Sequence, residues 1–255
     1  MDIKIGTSGY SFDDWVGSFY PTDIKKGKML DHYVKYFPAV EINSTYYRLP
    51  HPAVMANIEK KTPPHFEFIV KTPHILTHKR TGIEESVIQL AECLKPMEQS
   101  GKLKGLLAQF PYSFKFSDSN LRYVQYCRTL LEAWPLYVEF RHNSWQNPAT
   151  YNILEKEHIG FVSVDEPQLP GLLKPELICT SGMPYLRLHG RNVEHWWNGG
   201  ALRYDYDYSL QELTEWKGKI SGLKKPAAKL YVFFNNCHLG QAVKNARQFM
   251  ENINL

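Results

Sequence analysis

Eight short runs rich in Val, Ile, Leu, Phe and Tyr recur along the chain, and stretches of helical periodicity separate most of them. The runs are Ile3–Thr7, Ala39–Asn43, Phe66–Lys71, Gly105–Phe110, Leu136–Arg141, Gly160–Asp165, Pro184–His189 and Lys229–Asn235. Turn formers bound most of them, as expected of strands. The clearest helix spans Gly82 to Ser100, where Ile83, Val87, Leu90, Ala91 and Leu94 recur at steps of three and four. Ser117-Asp118-Ser119 offers an N-cap for the next, which carries Leu121, Val124, Leu130 and Leu131. Later helices are predicted over Ala149–Lys156, Leu210–Ile220 and Gln241–Asn252. Residues 166–183 hold Pro167, Pro170, Gly171, Pro175 and Gly182, so the helix between the sixth and seventh strands is expected to be short or missing.

Strands alternating with helices imply parallel βαβ units. Eight units can close into a barrel or wind into an open sheet. The barrel is favoured by the count, by the lack of a GxGxxG or GxxxxGK[ST] loop, and by polar residues at nearly every strand end. An open sheet would gather its ligand groups near one switch point. A (β/α)8 TIM-type barrel gathers them from many strands into one mouth, and it needs roughly 250 residues. The 255 residues here read as one domain, 1–255, with no linker.

Composition excludes several classes. Cys93, Cys127, Cys179 and Cys237 stand far apart with no metal-ligand spacing, which suits free thiols in a reducing cytosol. No apolar run approaches the roughly 20 residues of a membrane span, and the N-terminal residues lack a signal-peptide pattern. The expected location is therefore cytoplasmic, without a membrane partner. A net charge of +4 permits an anionic ligand without demanding one, the largest basic cluster being Lys224-Lys225.

Residues of one parity share a strand face. Glu41 with Asn43, Glu139 with Arg141, Arg187 with His189, and Tyr231 with Phe233 and Asn235 form such sets, while Thr7, Lys71, Gln109 and Asp165 add single polar ends. Charges in apolar strands are costly unless paired, and the inward face near the strand C-termini is where a barrel uses them. Aromatic loops follow: Gly9 to Trp15, Phe19-Tyr20-Pro21, Tyr46-Tyr47-Arg48, His142-Asn143-Ser144-Trp145, and a long connection, 190–208, holding Arg191, His195, Trp196, Trp197, Arg203, Tyr204, Tyr206 and Tyr208.

At these positions the chain resembles the YecE-like proteins, the family called domain of unknown function seventy-two. The matching pieces are Ile5-Gly6-Thr7-Ser8-Gly9-Tyr10, Trp15 with Phe19-Tyr20-Pro21, and Val40-Glu41-Ile42-Asn43-Ser44-Thr45-Tyr46-Tyr47-Arg48-Leu49-Pro50. They continue with Phe68-Ile69-Val70-Lys71, Thr77-His78, Leu107-Ala108-Gln109-Phe110-Pro111 and Val138-Glu139-Phe140-Arg141-His142-Asn143-Ser144-Trp145. Tyr185-Leu186-Arg187-Leu188-His189-Gly190-Arg191 and Phe234-Asn235-Asn236 complete the ordered set. The resemblance implies a barrel with these motifs at its mouth and supplies no activity. Its fold is similar to the metal-using endonuclease IV and xylose isomerase barrels, whose dense His and carboxylate sites have no match in these motifs.

Three functions are compatible with the residues. The favoured one is a mouth that binds or acts on a small anionic, phosphate- or nucleotide-like ligand; any catalysis would then be of hydrolase or lyase type. Lys71, Arg141, Arg187 and Arg191 would clamp the anion, and Asn43, Asn235 and Asn236 would orient it, with Tyr46, Gln109 and Trp145 completing the ligand shell. Glu139 or Glu41 would be the general base, His189 the acid or its relay, and Asp165 a further catalytic carboxylate. The alternatives are a nucleic-acid-binding or repair-nuclease-like protein, with aromatic rings stacking bases, and a non-catalytic sugar or metabolite-binding barrel. A divalent ion held by Glu41, Glu139, Asp165 and His189 is the disfavoured cofactor reading. No cofactor or oligomeric state is assigned.

Overall fold

The computed structural model describes residues 1–223 and 225–254; Lys224, half of the basic pair noted above, lies outside them. Eight strands form one parallel sheet: β1 (Asp2–Thr7), β2 (Ala39–Ile42), β3 (Glu67–Lys71), β4 (Leu103–Gln109), β5 (Leu136–Glu139), β6 (Ile159–Asp165), β7 (Tyr185–Leu188) and β8 (Lys229–Phe234). Their order, β1-β8-β7-β6-β5-β4-β3-β2, curls the sheet into a nearly closed (β/α)8 TIM-type barrel. The helices are α1 (Met29–Tyr33), α2 (Ser44–Tyr47), α3 (Pro52–Lys60), α4 (Ile83–Gln99), α5 (Asp118–Leu130), α6 (Pro148–Lys156), α7 (Leu210–Ser221) and α8 (Gln241–Asn252). Among the described residues none of them is long and apolar enough to cross a membrane.

Local chemistry sets the boundaries. The Ser117 hydroxyl accepts from the Asn120 amide and starts α5, and Ser209 with Glu212 forms a reciprocal capping box on α7. Every residue of β6 is buried, because helices cover the outside of a parallel strand while the barrel core covers its inside. In α4 the apolar stripe buries Ile83, Leu90 and Leu94 against the sheet. As the Pro- and Gly-rich sequence predicts, no helix forms between β6 and β7. A groove of about 640 Å³ remains there on the barrel's flank, lined by Tyr151, Leu177, Ile178, Cys179, Lys219 and Leu223.

The barrel closes least regularly between β1 and β2, where Ser8 and Glu41 make the bridge. Gly6 lies at this seam: a Cβ there would stand 2.2 Å from the Ala39 carbonyl oxygen, so only glycine lets the strands approach. The buried Tyr33 hydroxyl fills the missing ladder, accepting from the Thr7 amide at 2.9 Å and donating to the Ala39 carbonyl at 3.1 Å. Tyr33→Phe leaves both backbone groups unpaired, and a loss of about 1–3 kcal/mol is expected. Urea unfolding checks this; an unchanged midpoint would mean the seam does not depend on that hydroxyl.

Inside the barrel the base is aromatic. Tyr137, Tyr185 and Tyr231 pack edge to face, and the Tyr231 hydroxyl donates to Glu67 at 2.7 Å. A Cβ at Gly160 would lie 2.5 Å from the Tyr137 ring, so β6 carries glycine where β5 presents tyrosine. That contact also places residue 160, and with it the even-numbered residues of β6, on the inside.

Candidate functional site

Above the tyrosine layer lies a buried ionic lattice. Arg187 of β7 donates from Nε and Nη2 to the two oxygens of Glu41 on β2, at 2.9 and 2.7 Å, and from Nη1 to Glu139 on β5. Glu41 also accepts from the Asn43 amide at 2.9 Å and from the Tyr185 hydroxyl. The second oxygen of Glu139 lies 2.6 Å from Nε of Arg141 and 3.2 Å from Nε2 of His189. The Asn235 amide stands 2.9 Å from Nδ1 of His189; with that amide donating, the ring proton sits on Nε2, facing Glu139. Burial alone would raise the Glu139 carboxyl, yet Arg141, Arg187 and His189 hold it well below the usual carboxylate range. His189 falls to about 3, because burial and then Arg141 outweigh the pull of Glu139, so it is neutral in ordinary buffers.

The open site begins one layer higher. Two adjoining compartments, about 310 and 230 Å³, share Tyr46, Tyr47, Lys71, Gln109, Arg141 and Tyr204. The outer compartment adds His78, Tyr112, Trp196, Trp197 and Arg203; the inner one reaches Ser8, Asn43, Arg187, Asn235 and Cys237. No carboxylate lines either compartment among the described residues, whereas Lys71, Arg141, Arg187 and Arg203 all do.

Each cation is held differently. The Lys71 amine donates to the Gln109 amide oxygen at 2.7 Å and sits 4.4 Å from the centre of the Tyr46 ring. Burial, then Arg187, lower it to about 7 against the opposing pull of Glu139 and Glu41. The guanidinium carbons of Arg141 and Arg203 stand 5.9 and 5.8 Å from the Trp196 ring centre. Nε of Arg203 is buried without a hydrogen-bond partner among the described residues. Burial raises the neighbouring Glu166 carboxyl to about 8, although Arg141 Nη1 lies 3.6 Å away. Burial likewise pushes the Cys237 thiol far up, which favours the protonated thiol over the nucleophilic thiolate.

Comparison with known proteins fits this architecture. The family model described as "Protein of unknown function DUF72" matches residues 4–255. The chain belongs to the DUF72 family. It is 32% identical to the UPF0759 protein YunF of Bacillus subtilis (strain 168), over 98% of this chain and 94% of that protein. It superposes with a TM-score of 0.92 on the crystal structure of a DUF72 family protein from Thermotoga maritima, at 40% identity and with both chains fully covered. A DUF72 family protein from Enterococcus faecalis aligns with a TM-score of 0.88 and 28% identity, over 99% of this chain and 96% of that one.

In this DUF72 chain the barrel gathers most of the residues expected at its mouth. Asn43, Tyr46, Lys71, Gln109, Arg141, Arg187 and Asn235 line the compartments. Glu41, Glu139 and His189 lie together but beneath the wall, fully buried. Four expected site residues point elsewhere. Asp165 follows the odd parity of β6 and faces outward, where it accepts from Trp216 Nε1 at 2.6 Å, the Tyr208 hydroxyl at 2.9 Å and two nitrogens of Arg191 at 2.8 Å. Arg191 is thereby drawn to the outer face, where it also meets Glu212. Asn236 donates to Asn245 and to the Tyr206 carbonyl, away from its neighbour Asn235. Trp145 is wholly buried, stacked 4.0 Å from the Phe140 ring with Nε1 on the Phe114 carbonyl.

Glu166, Tyr112 and Arg203 went unassigned in the sequence. Parity counted from Gly160 would have turned Glu166 inward in place of Asp165. Nothing local marks Tyr112, and Arg203 was noted only as one member of the long aromatic connection 190–208.

The metal sites of the similar barrels find no counterpart here. Among the described residues no three His, Cys, Asp or Glu side chains converge to hold an ion. Arg187 sits between Glu41 and Glu139, and Nε of Arg141 lies 2.6 Å from Glu139, so a divalent cation would have to share this space with two guanidinium groups.

Proposed function

We propose that the mouth binds a small anion of the phosphate- or nucleotide-like class. What carries the reading is a wall holding Lys71, Arg141, Arg187 and Arg203 with no carboxylate among its described lining residues. The carboxylates lie below, where they neutralise Arg187 and half-engage Arg141. Arg203 keeps a buried donor without a partner, which an oxyanion would satisfy. Asn43, Gln109 and Asn235 supply neutral orienting groups, and the rings of Tyr46, Tyr204 and Trp196 narrow the opening. On this reading His189 is a positioning residue, with Nδ1 on the Asn235 amide and Nε2 3.2 Å from Glu139.

Calorimetry at low salt with inorganic phosphate and a nucleoside monophosphate tests the site. Arg203→Ala removes one charge-assisted contact, so affinity is expected to fall about tenfold or more. Affinity should also fall as pH rises through about 7, where Lys71 loses its proton. No binding of either anion would overturn the reading. Preferential binding of oligonucleotides, weakening steeply with salt, would replace it with a nucleic-acid site.

A further inference from the structure

Lys71 has a setting that a simple charge clamp does not need. Its stem rises from the end of β3, and its side chain lines both compartments. A clamp lysine gains most when it is fully charged and free to follow its ligand. This one is fixed, resting on the Tyr46 ring and hydrogen-bonded to a neutral amide oxygen rather than to a carboxylate. The charged groups felt at Lys71 are Arg187 on β7, Arg141 and Glu139 at β5, and Glu41 on β2, while His78 beside it is neutral, lowered to about 4 by burial and then by Lys71. Arg141 and Arg187 line the cavity, while Glu41 and Glu139 do not and are paired to Arg187. A lysine desolvated next to other cations is an activated nucleophile, since the free amine is the reactive form.

We infer that Lys71 forms a Schiff base with a small carbonyl compound that carries an anionic group. This inference rests on the anion site proposed above and names its substrate class: a phosphorylated aldehyde or ketone. The neutral amine adds to the carbonyl carbon, and the carbonyl oxygen takes up a proton to give a carbinolamine. That hydroxyl leaves as water after a second protonation. The nitrogen gives up one of its own protons, and the net product is a protonated imine plus water, with one proton drawn from solvent. Arg141 and Arg203 hold the anionic end, which presents the carbonyl to Nζ of Lys71. At pH 7 a lysine titrating near 7 is half neutral, which is roughly a thousandfold more free amine than an ordinary lysine near 10.4 offers.

Borohydride trapping distinguishes the possibilities, with dihydroxyacetone phosphate and uncharged dihydroxyacetone as paired probes and inorganic phosphate as competitor. Expected is a single reduced adduct of the phosphorylated probe at pH 7, mapped to Lys71 by peptide mass spectrometry. It should form about tenfold or more faster than at any exposed lysine, and inorganic phosphate should suppress it. On the wild-type protein its rate should rise through pH 7 and then level. Lys71→Arg and Lys71→Met should lose the label, and the wild-type mapping stands even if a variant misfolds. Label scattered over surface lysines with Lys71 unmodified, while inorganic phosphate still binds, would overturn the lysine inference and leave the anion site intact. Equal labelling of Lys71 by both probes would keep the nucleophile and remove the anion site. Neither label nor phosphate binding would overturn both.

Discussion

Arg187→Met is expected to lower the unfolding free energy by about 3–5 kcal/mol, because it strands two buried carboxylates. Arg187 donates to both oxygens of Glu41 and to one of Glu139, and all three side chains are at most 2% exposed. Methionine fills much of the volume but supplies no charge or donor. Glu41 keeps Asn43 and Tyr185, and Glu139 keeps Arg141 and His189, so the loss is not that of a wholly unpaired pair. The pH dependence has a definite sign. Glu139 is depressed in the fold, so its contribution is fully present above the unfolded value of about 4.3 and is lost as pH falls through the folded value. The deficit of Arg187→Met should therefore be greatest at neutral pH and shrink on acidification. Urea unfolding at neutral and acidic pH measures it. The combined variant Arg187→Met, Glu41→Gln, Glu139→Gln should recover a large part of the loss, since neutral partners no longer need the cation. A single variant that loses less than about 1 kcal/mol would show that water or rearrangement supports the carboxylates instead.

Asp165→Ala should be nearly as costly, about 3–5 kcal/mol, yet leave the mouth unaffected. The carboxylate accepts from Trp216, Tyr208 and Arg191 and so ties the end of β6 to α7 and to the loop after β7. Removing it leaves a buried indole N–H, a buried hydroxyl and an unbalanced guanidinium. Because Asp165 faces away from the compartments, phosphate affinity of the folded variant should stay within about twofold of the wild type. Thermal unfolding and calorimetry on the same preparation give both numbers. Lost affinity with unchanged stability would return Asp165 to the site.

The contrast between Asp165 and Glu166 shows what was legible in the residues. Alternation told which residues share a face, and it grouped Glu41 with Asn43, Glu139 with Arg141, and Arg187 with His189 correctly. It did not tell which face was inward for a strand buried on both sides. In β6 every position is buried, so hydrophobicity carries no phase, and the polar end residue Asp165 was assigned to the wrong side. The glycine at 160 held that phase, but its meaning depends on Tyr137 of the adjacent strand. Trp145, Arg191 and Asn236 follow the same logic: each lies within a few residues of a strand end, and each finds its partners away from the compartments.

From the sequence alone came the eight strands, the helices α4 to α8, the missing helix after β6 and the barrel that they imply, whereas α1, α2 and α3 were not read. These rest on patterns of period two and 3.6 and on local caps and breakers, which act over a few residues. Tertiary structure alone decided the rest. Closure of the barrel brings Glu41, Glu139 and Arg187 from three strands into one lattice, sets Lys71 and Arg203 in the compartments above it, and lowers Lys71 by burial beside two guanidiniums. Those effects depend on distance and desolvation between segments more than 40 residues apart, for which the order of residues along the chain carries no local signal.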